Sequence, residues 1–167
     1  DIIHANWDIA LIQEARVGAT SLVHDLCRRS GITMHTSEPS SDGKALLAIL
    51  VRSGCCTPIV GIRSERTDGV LWYPGGGLCY RLYHVYGEAD GSATAISSNS
   101  TLARNCIINA EEAGSVPSGI FGDFNCELQQ LACLPSLVAS DWADLASAPT
   151  CAVANSRFPR RIDKLLA

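Results

Sequence analysis

Ile120-Phe121-Gly122-Asp123-Phe124-Asn125-Cys126-Glu127 is the stretch on which the reading of this chain turns. A short apolar run ending in an acid predicts a strand over 118–121 that leads into Asp123. Side chains alternate along a strand, so Asp123 and Asn125 are expected to point the same way from its end. Gly122 lets the backbone come close to whatever binds there. A carboxylate and a carboxamide on a rigid strand end can grip a phosphate, a metal ion or an attacking water.

Outward from this point the chain alternates between short apolar runs and turn residues. Residues 69–73 and 79–86 read as strands joined by Gly75-Gly76-Gly77, a tight turn without the helix and lysine of a phosphate cradle. Residues 45–52 and 58–63 read as further strands, with 39–43 a turn. Trp7-Asp8-Ile9-Ala10-Leu11-Ile12-Gln13-Glu14 predicts a strand covered on both faces with a polar end. From 17 to 30, Val17, Leu22, Val23 and Leu26 recur at helical spacing, and Arg28, Arg29 and Gly31 supply the stop. Residues 87–98 read as a polar loop. A helix is expected over 100–113 with Leu102, Cys106, Ile107 and Ala110 on one face. Residues 128–138 read as mixed helix and turn, 141–146 as surface, and 160–166 as a final strand. Many strands and few helices predict an α+β fold with a layered, antiparallel-rich core.

The 167 residues suit one domain, 1–167, and 47% hydrophobic content suits a packed core. No apolar run reaches membrane-spanning length. A net charge of −4 argues against general coating of nucleic acid. It leaves room for a local, metal-neutralised site acting on a phosphodiester. Of the cysteines (Cys27, Cys55, Cys56, Cys79, Cys106, Cys126, Cys133 and Cys151) none forms a C-x-x-C pair. The histidines His4, His24, His35 and His84 lie at no ligand-like spacing to them. Reduced structural thiols in an intracellular protein are therefore expected, with a disulfide framework as the main alternative and a zinc site as the lesser one. Asp1-Ile2-Ile3 and Lys164-Leu165-Leu166-Ala167 read as the interior of a longer chain.

Polar groups then collect at strand ends: Glu14, Tyr86, Asp123, Asn125 and Asp163. Four of them have a plainer reading. Glu14 reads as a solvated cap, Tyr86 as a core aromatic with its hydroxyl at the rim, Asp123 as a turn-former, and Asp163 as a surface partner of Arg161. Taken in order, Leu11-Ile12-Gln13-Glu14, His84-Val85-Tyr86, Gly122-Asp123-Phe124-Asn125 and Arg161-Ile162-Asp163 resemble the endonuclease/exonuclease/phosphatase superfamily, the deoxyribonuclease I-like group. The resemblance spans essentially the whole chain.

That resemblance implies a four-layer α/β/β/α sandwich and Mg2+-dependent hydrolysis of a phosphoester. Glu14 would be the magnesium ligand. Asp123 would hold or deprotonate the attacking water, Asn125 and Tyr86 would hydrogen-bond the phosphate, and Asp163 would orient a histidine. The family's Ser-Asp-His segment and its N-terminal asparagine strand have no match here, so truncation at both ends is expected, with weak catalysis from 1–167 alone. A retroelement-type or repair-type endonuclease cleaving DNA is the leading expectation. The alternatives are a phosphatase of small molecules or phosphoinositides, and a non-catalytic remnant serving as a binding module.

Overall fold

The computed structural model describes residues 6–18, 22–145 and 163–166, the last as backbone only. Its strands are β1 (Ile9–Ile12), β2 (Val17–Gly18), β3 (Thr33–Thr36), β4 (Lys44–Ala45), β5 (Ala48–Val51), β6 (Cys55–Pro58), β7 (Thr67–Gly75), β8 (Leu78–Tyr86), β9 (Ser118–Asp123) and β10 (Asp163–Leu166). The helices are α1 (Leu22–Arg29), α2 (Ala93–Glu112) and α3 (Leu134–Ala139), with a 3-10 turn at Leu128–Gln130.

Two sheets stack face to face. One has the order β1-β5-β3 and is antiparallel, with Ile9 opposite Val51 and Ile12 opposite Ala48. The other has the order β10-β9-β8-β7-β6. Strand alternation decides what each residue meets. Ile49 and Val51 face inward against Val70 and Leu82, with Ile9, Leu11, Trp72, Tyr80 and Phe121 closing the interface. Leu50, Ala10 and Ile12 face the other way, with Cys27 of α1 and Ile32. Tyr83, Val85 and Ile120 turn outward from the larger sheet against Ala103, Cys106 and Ile107 of α2 and Leu137 of α3. The result is the four-layer α/β/β/α sandwich.

Several local readings shift. Residues 17–18 are not helical; they pair with β4 as a two-stranded ribbon, and Val17 is buried there. The helix that follows buries only Cys27 and leaves Leu22, Val23 and Leu26 exposed. The strand expected at 58–63 lies earlier, at Cys55–Pro58. Pro58, lacking an N–H, ends it on the sheet edge, where the missing donor costs no ladder bond. Helix α2 starts well before residue 100, because Ser92 caps it by accepting the Ala95 N–H at 3.1 Å. The Gly75–Gly77 hairpin joins β7 to β8 as expected. Residues 160–162 of the final strand and Cys151 lie outside the described residues. The seven other cysteines are free thiols, with Cys27, Cys106, Cys126 and Cys133 buried. No helix among the described residues is long and apolar enough to cross a membrane.

Candidate active site

Glu14 follows β1 with φ 50, a left-handed conformation uncommon for a residue with a Cβ. This turns the chain out of the strand direction and leaves Glu14 exposed at the sheet end. Its neighbour Gln13 donates from Nε2 to the Val85 carbonyl at 3.2 Å, tying the end of the first sheet to β8 of the second. Across that junction the Tyr86 hydroxyl donates to Glu14 Oε1 at 2.6 Å, a length typical of a hydroxyl bonded to an ionised carboxylate. The Tyr86 hydroxyl is pushed up to about 12, first by this bond, then by burial and by the charges of Glu14 and Asp123. It therefore stays protonated as a donor, and two carboxylates act on it.

Asp123 reaches the same place from β9. Strands β8 and β9 run parallel with Tyr86 in register with Asp123, so both strands end together. Asn125 then follows for a reason other than strand alternation. The strand stops at Asp123, Phe124 is fully buried, and Asn125 takes φ 52. The Asn125 N–H donates to Asp123 Oδ1 at 2.8 Å, closing a tight side-chain turn. Asn125 Nδ2 donates to the Gly87 carbonyl at 3.0 Å, and the Gly87 N–H donates to the Asp123 carbonyl at 2.7 Å. Gly122 serves strand packing: a Cβ there would run into the Val85 carbonyl of β8.

Asp163 pairs with Asp123 in antiparallel register, which brings its backbone to the same strand end. Arg161 and Ile162 lie outside the described residues. Among the described histidines, His24 sits on α1 and His35 in β3 contacts Cys56 Sγ at 2.9 Å. His84 is buried between the sheets, two residues inside Tyr86, where burial pushes its imidazole down to about 4.

No protein-family model matches the sequence, and no curated protein does. Solved structures do match. The endonuclease domain of TRAS1, a telomere-specific non-LTR retrotransposon, superposes with a TM-score of 0.68 at 18% identity, over 95% of this chain and 71% of that one. An endonuclease/exonuclease/phosphatase family protein from Bacteroides thetaiotaomicron matches with a TM-score of 0.60 at 15% identity, over 96% and 69%. An AP endonuclease from Archaeoglobus fulgidus matches with a TM-score of 0.62 at 13% identity, over 95% and 75%. The chain has the endonuclease/exonuclease/phosphatase fold.

Within this fold two residues near the strand ends carried no signal in the sequence. Asn99, fully buried on α2, accepts the Glu88 N–H at 2.7 Å and donates to the carbonyls of Glu88 (3.1 Å) and Phe124 (2.7 Å). It thus ties the loop that follows Tyr86 to Phe124, the residue before Asn125. Reading 87–98 as a loop hid it, since a buried asparagine shows only once the helix face is known. Arg66, just before β7, places its guanidinium 5.5 Å from the Tyr86 ring centroid. It is found only through the strand register that sets it beside Tyr86.

No group of three or more His, Cys, Asp or Glu among the described residues is gathered to hold a metal. Glu14 and Asp123 offer hard carboxylate oxygens, the donors suited to a cation that keeps several waters and binds through one or two carboxylates.

Proposed function

We propose that this chain is the Mg2+-dependent hydrolase domain of an endonuclease acting on DNA phosphodiesters. The observation that carries the reading is the 2.6 Å bond between Tyr86 and Glu14 at the strand end where Asp123 and Asn125 also lie. Likeness of fold to nucleases, TRAS1 and the AP endonuclease among them, supports it. Glu14 would hold the magnesium ion, which supplies charge to offset that developing on the phosphate.

The protein's own groups set the rest. Asp123, fixed by the Asn125 N–H, would orient the attacking water and take its proton. Asn125 has committed one Nδ2 proton to Gly87, which leaves the other for a phosphoryl oxygen. Tyr86 has a single proton, which Glu14 takes here, so donation to phosphate requires that the bond to Glu14 open when substrate binds. Asp163, opposite Asp123, would orient a histidine from outside the described residues. Free thiols at the described cysteines suit a reducing, intracellular compartment.

The test is nicking of supercoiled plasmid and of an abasic duplex by the chain and by a version extended at both ends. Mg2+ should support cleavage and EDTA abolish it. Asp123→Asn should cost about 10²–10⁴-fold in rate, the usual worth of a positioned acid or base. Release of phosphate from phosphoinositides with no nicking would move the reading to a phosphatase. DNA binding without turnover by either version would move it to a binding module.

A further inference from the structure

The Gly87 carbonyl lies at the centre of a small network. It accepts Arg66 Nη1 at 3.2 Å and Asn125 Nδ2 at 3.0 Å, so both of its lone pairs are used. Arg66 Nη1 also reaches the Tyr86 carbonyl at 3.3 Å, and the Arg66 carbonyl accepts the Tyr86 N–H at 2.9 Å. Its guanidinium lies over the Tyr86 ring. No carboxylate forms an ion pair with half-buried Arg66 among the described residues. An arginine at an ordinary surface spends its charge on water or an acid. Here the charge is spent on two successive backbone carbonyls and an aromatic face, all in the segment that carries the site.

The chemistry of the side chain explains why arginine stands there. One guanidinium nitrogen donates to both carbonyls while the delocalised cation stays over the ring. A lysine ammonium is a compact point charge on a flexible stem and has no planar group to hold against the ring. Gly87 itself has no room for a side chain: a Cβ on it would come within 2.6 Å of the Phe124 carbonyl oxygen. The Gly87 peptide thus lies close to Phe124 on one side and is bonded by Arg66 on the other.

We propose that Arg66 is a positioning residue. It fixes the Gly87 carbonyl, and through that carbonyl it orients the Asn125 carboxamide and the Tyr86 ring. This rests on the hydrolase reading for its catalytic consequence but not for its structural one, and two measurements separate them.

The first is NMR of the full chain, following the Asn125 side-chain amide in wild type, Arg66→Lys and Arg66→Met. Loss of the pin should shift the Asn125 Nδ2 resonances and speed their exchange about tenfold or more in both variants, while Ala103 and Cys106 backbone amides on α2 keep their protection. Unchanged Asn125 resonances would overturn the proposal whether or not the protein cleaves anything. Should Arg66→Met fail to fold, Arg66→Lys carries the comparison. The second is kinetic, on plasmid with Mg2+. Misplacement of a bound reactant costs up to about 100-fold in rate, so both variants should lose about 10–100-fold in kcat with KM little changed. Restoration of kcat by lysine, or a rise in KM alone, would show that Arg66 works as a charge toward substrate and not as a positioning group. Absence of cleavage by the wild-type chain and by its version extended at both ends would count against the hydrolase reading while the NMR result still decides the role of Arg66.

Discussion

The two helical layers of this sandwich differ in a way their compositions do not announce. Helix α1 carries Leu22, Val23 and Leu26, yet buries only Cys27, and Leu22 is 80% exposed. Helix α2 is rich in Ser, Asn and Ala, yet buries Ala95, Asn99, Ser100, Ala103, Cys106, Ile107 and Ala110. The difference lies in what each faces. Helix α2 lies over the β8–β9 pair, whose outward residues Tyr83, Val85 and Ile120 are fully buried against small side chains that allow close approach. Helix α1 covers three short strands, and its Val23 only edges an apolar groove with Ile12, Val17, Met34, Ala48 and Leu50. Burial follows from the opposing surface, not from the apolar content of the helix.

If that comparison holds, the α2 side should carry most of the stability. Phe124→Ala, at a fully buried ring beneath α2, should cost about 3–5 kcal/mol. Urea unfolding measures it, and a loss below about 1 kcal/mol would mean that the α2 layer is not the main core.

A second effect comes from the sheet interface between the two helical layers. Burial pushes the His84 imidazole from its ordinary 6.5, the value expected once unfolded, down to about 4 in the folded chain. Between these values the unfolded chain binds a proton that the folded chain refuses, so stability rises with pH across the window and is lost as pH falls. The shift is worth about 3 kcal/mol. Asp68, held above the usual carboxylate range by burial, acts in the opposite sense. The difference between wild type and His84→Leu in unfolding free energy from pH 7 to pH 4 isolates the histidine. Parallel curves for the two proteins would refute its burial in the neutral form.

The smallest effect belongs to α1. Leu22→Ala should change stability by less than about 0.5 kcal/mol, as exposed positions do. A thermal melt showing a loss comparable to that of Phe124→Ala would erase the distinction between the layers.

Legibility in the sequence divided along physical lines. The β7–β8 hairpin could be read because three successive glycines fix its turn, and β9 because its apolar run ends sharply at Gly122-Asp123. Glu14, Tyr86 and Asp123 were found at strand ends, and the strand ends do adjoin. What a two-residue period could not supply was the left-handed turn at Glu14 and at Asn125, since both depart from the strand. Asn125 reaches the site through a bond to Asp123 Oδ1, and strand alternation gave the right neighbour for the wrong reason. The extent of α1 and the face it presents were misread because apolar spacing says nothing of what lies across from it. Arg66 and Asn99 act on backbone carbonyls brought close only by the fold, so no local pattern marks them.

Among the described strands only β8 and β9 run parallel. An antiparallel neighbour could follow β8 after a short hairpin, but a parallel one must wait for the α2 crossover to be made. The order of events in folding is affected. The β7–β8 hairpin closes over a few residues and can form early, whereas Tyr86 meets Glu14 across a sequence separation of 72 and Asn125 meets Gly87 across 38. Contacts of such range incur loop-closure entropy before they return any stability and are slow to form. Pulse-labelled hydrogen exchange during refolding should therefore protect the hairpin amides first and the Gly87 amide, whose acceptor is Asp123, among the last. Simultaneous protection would show that the sandwich and its strand-end cluster condense in one step.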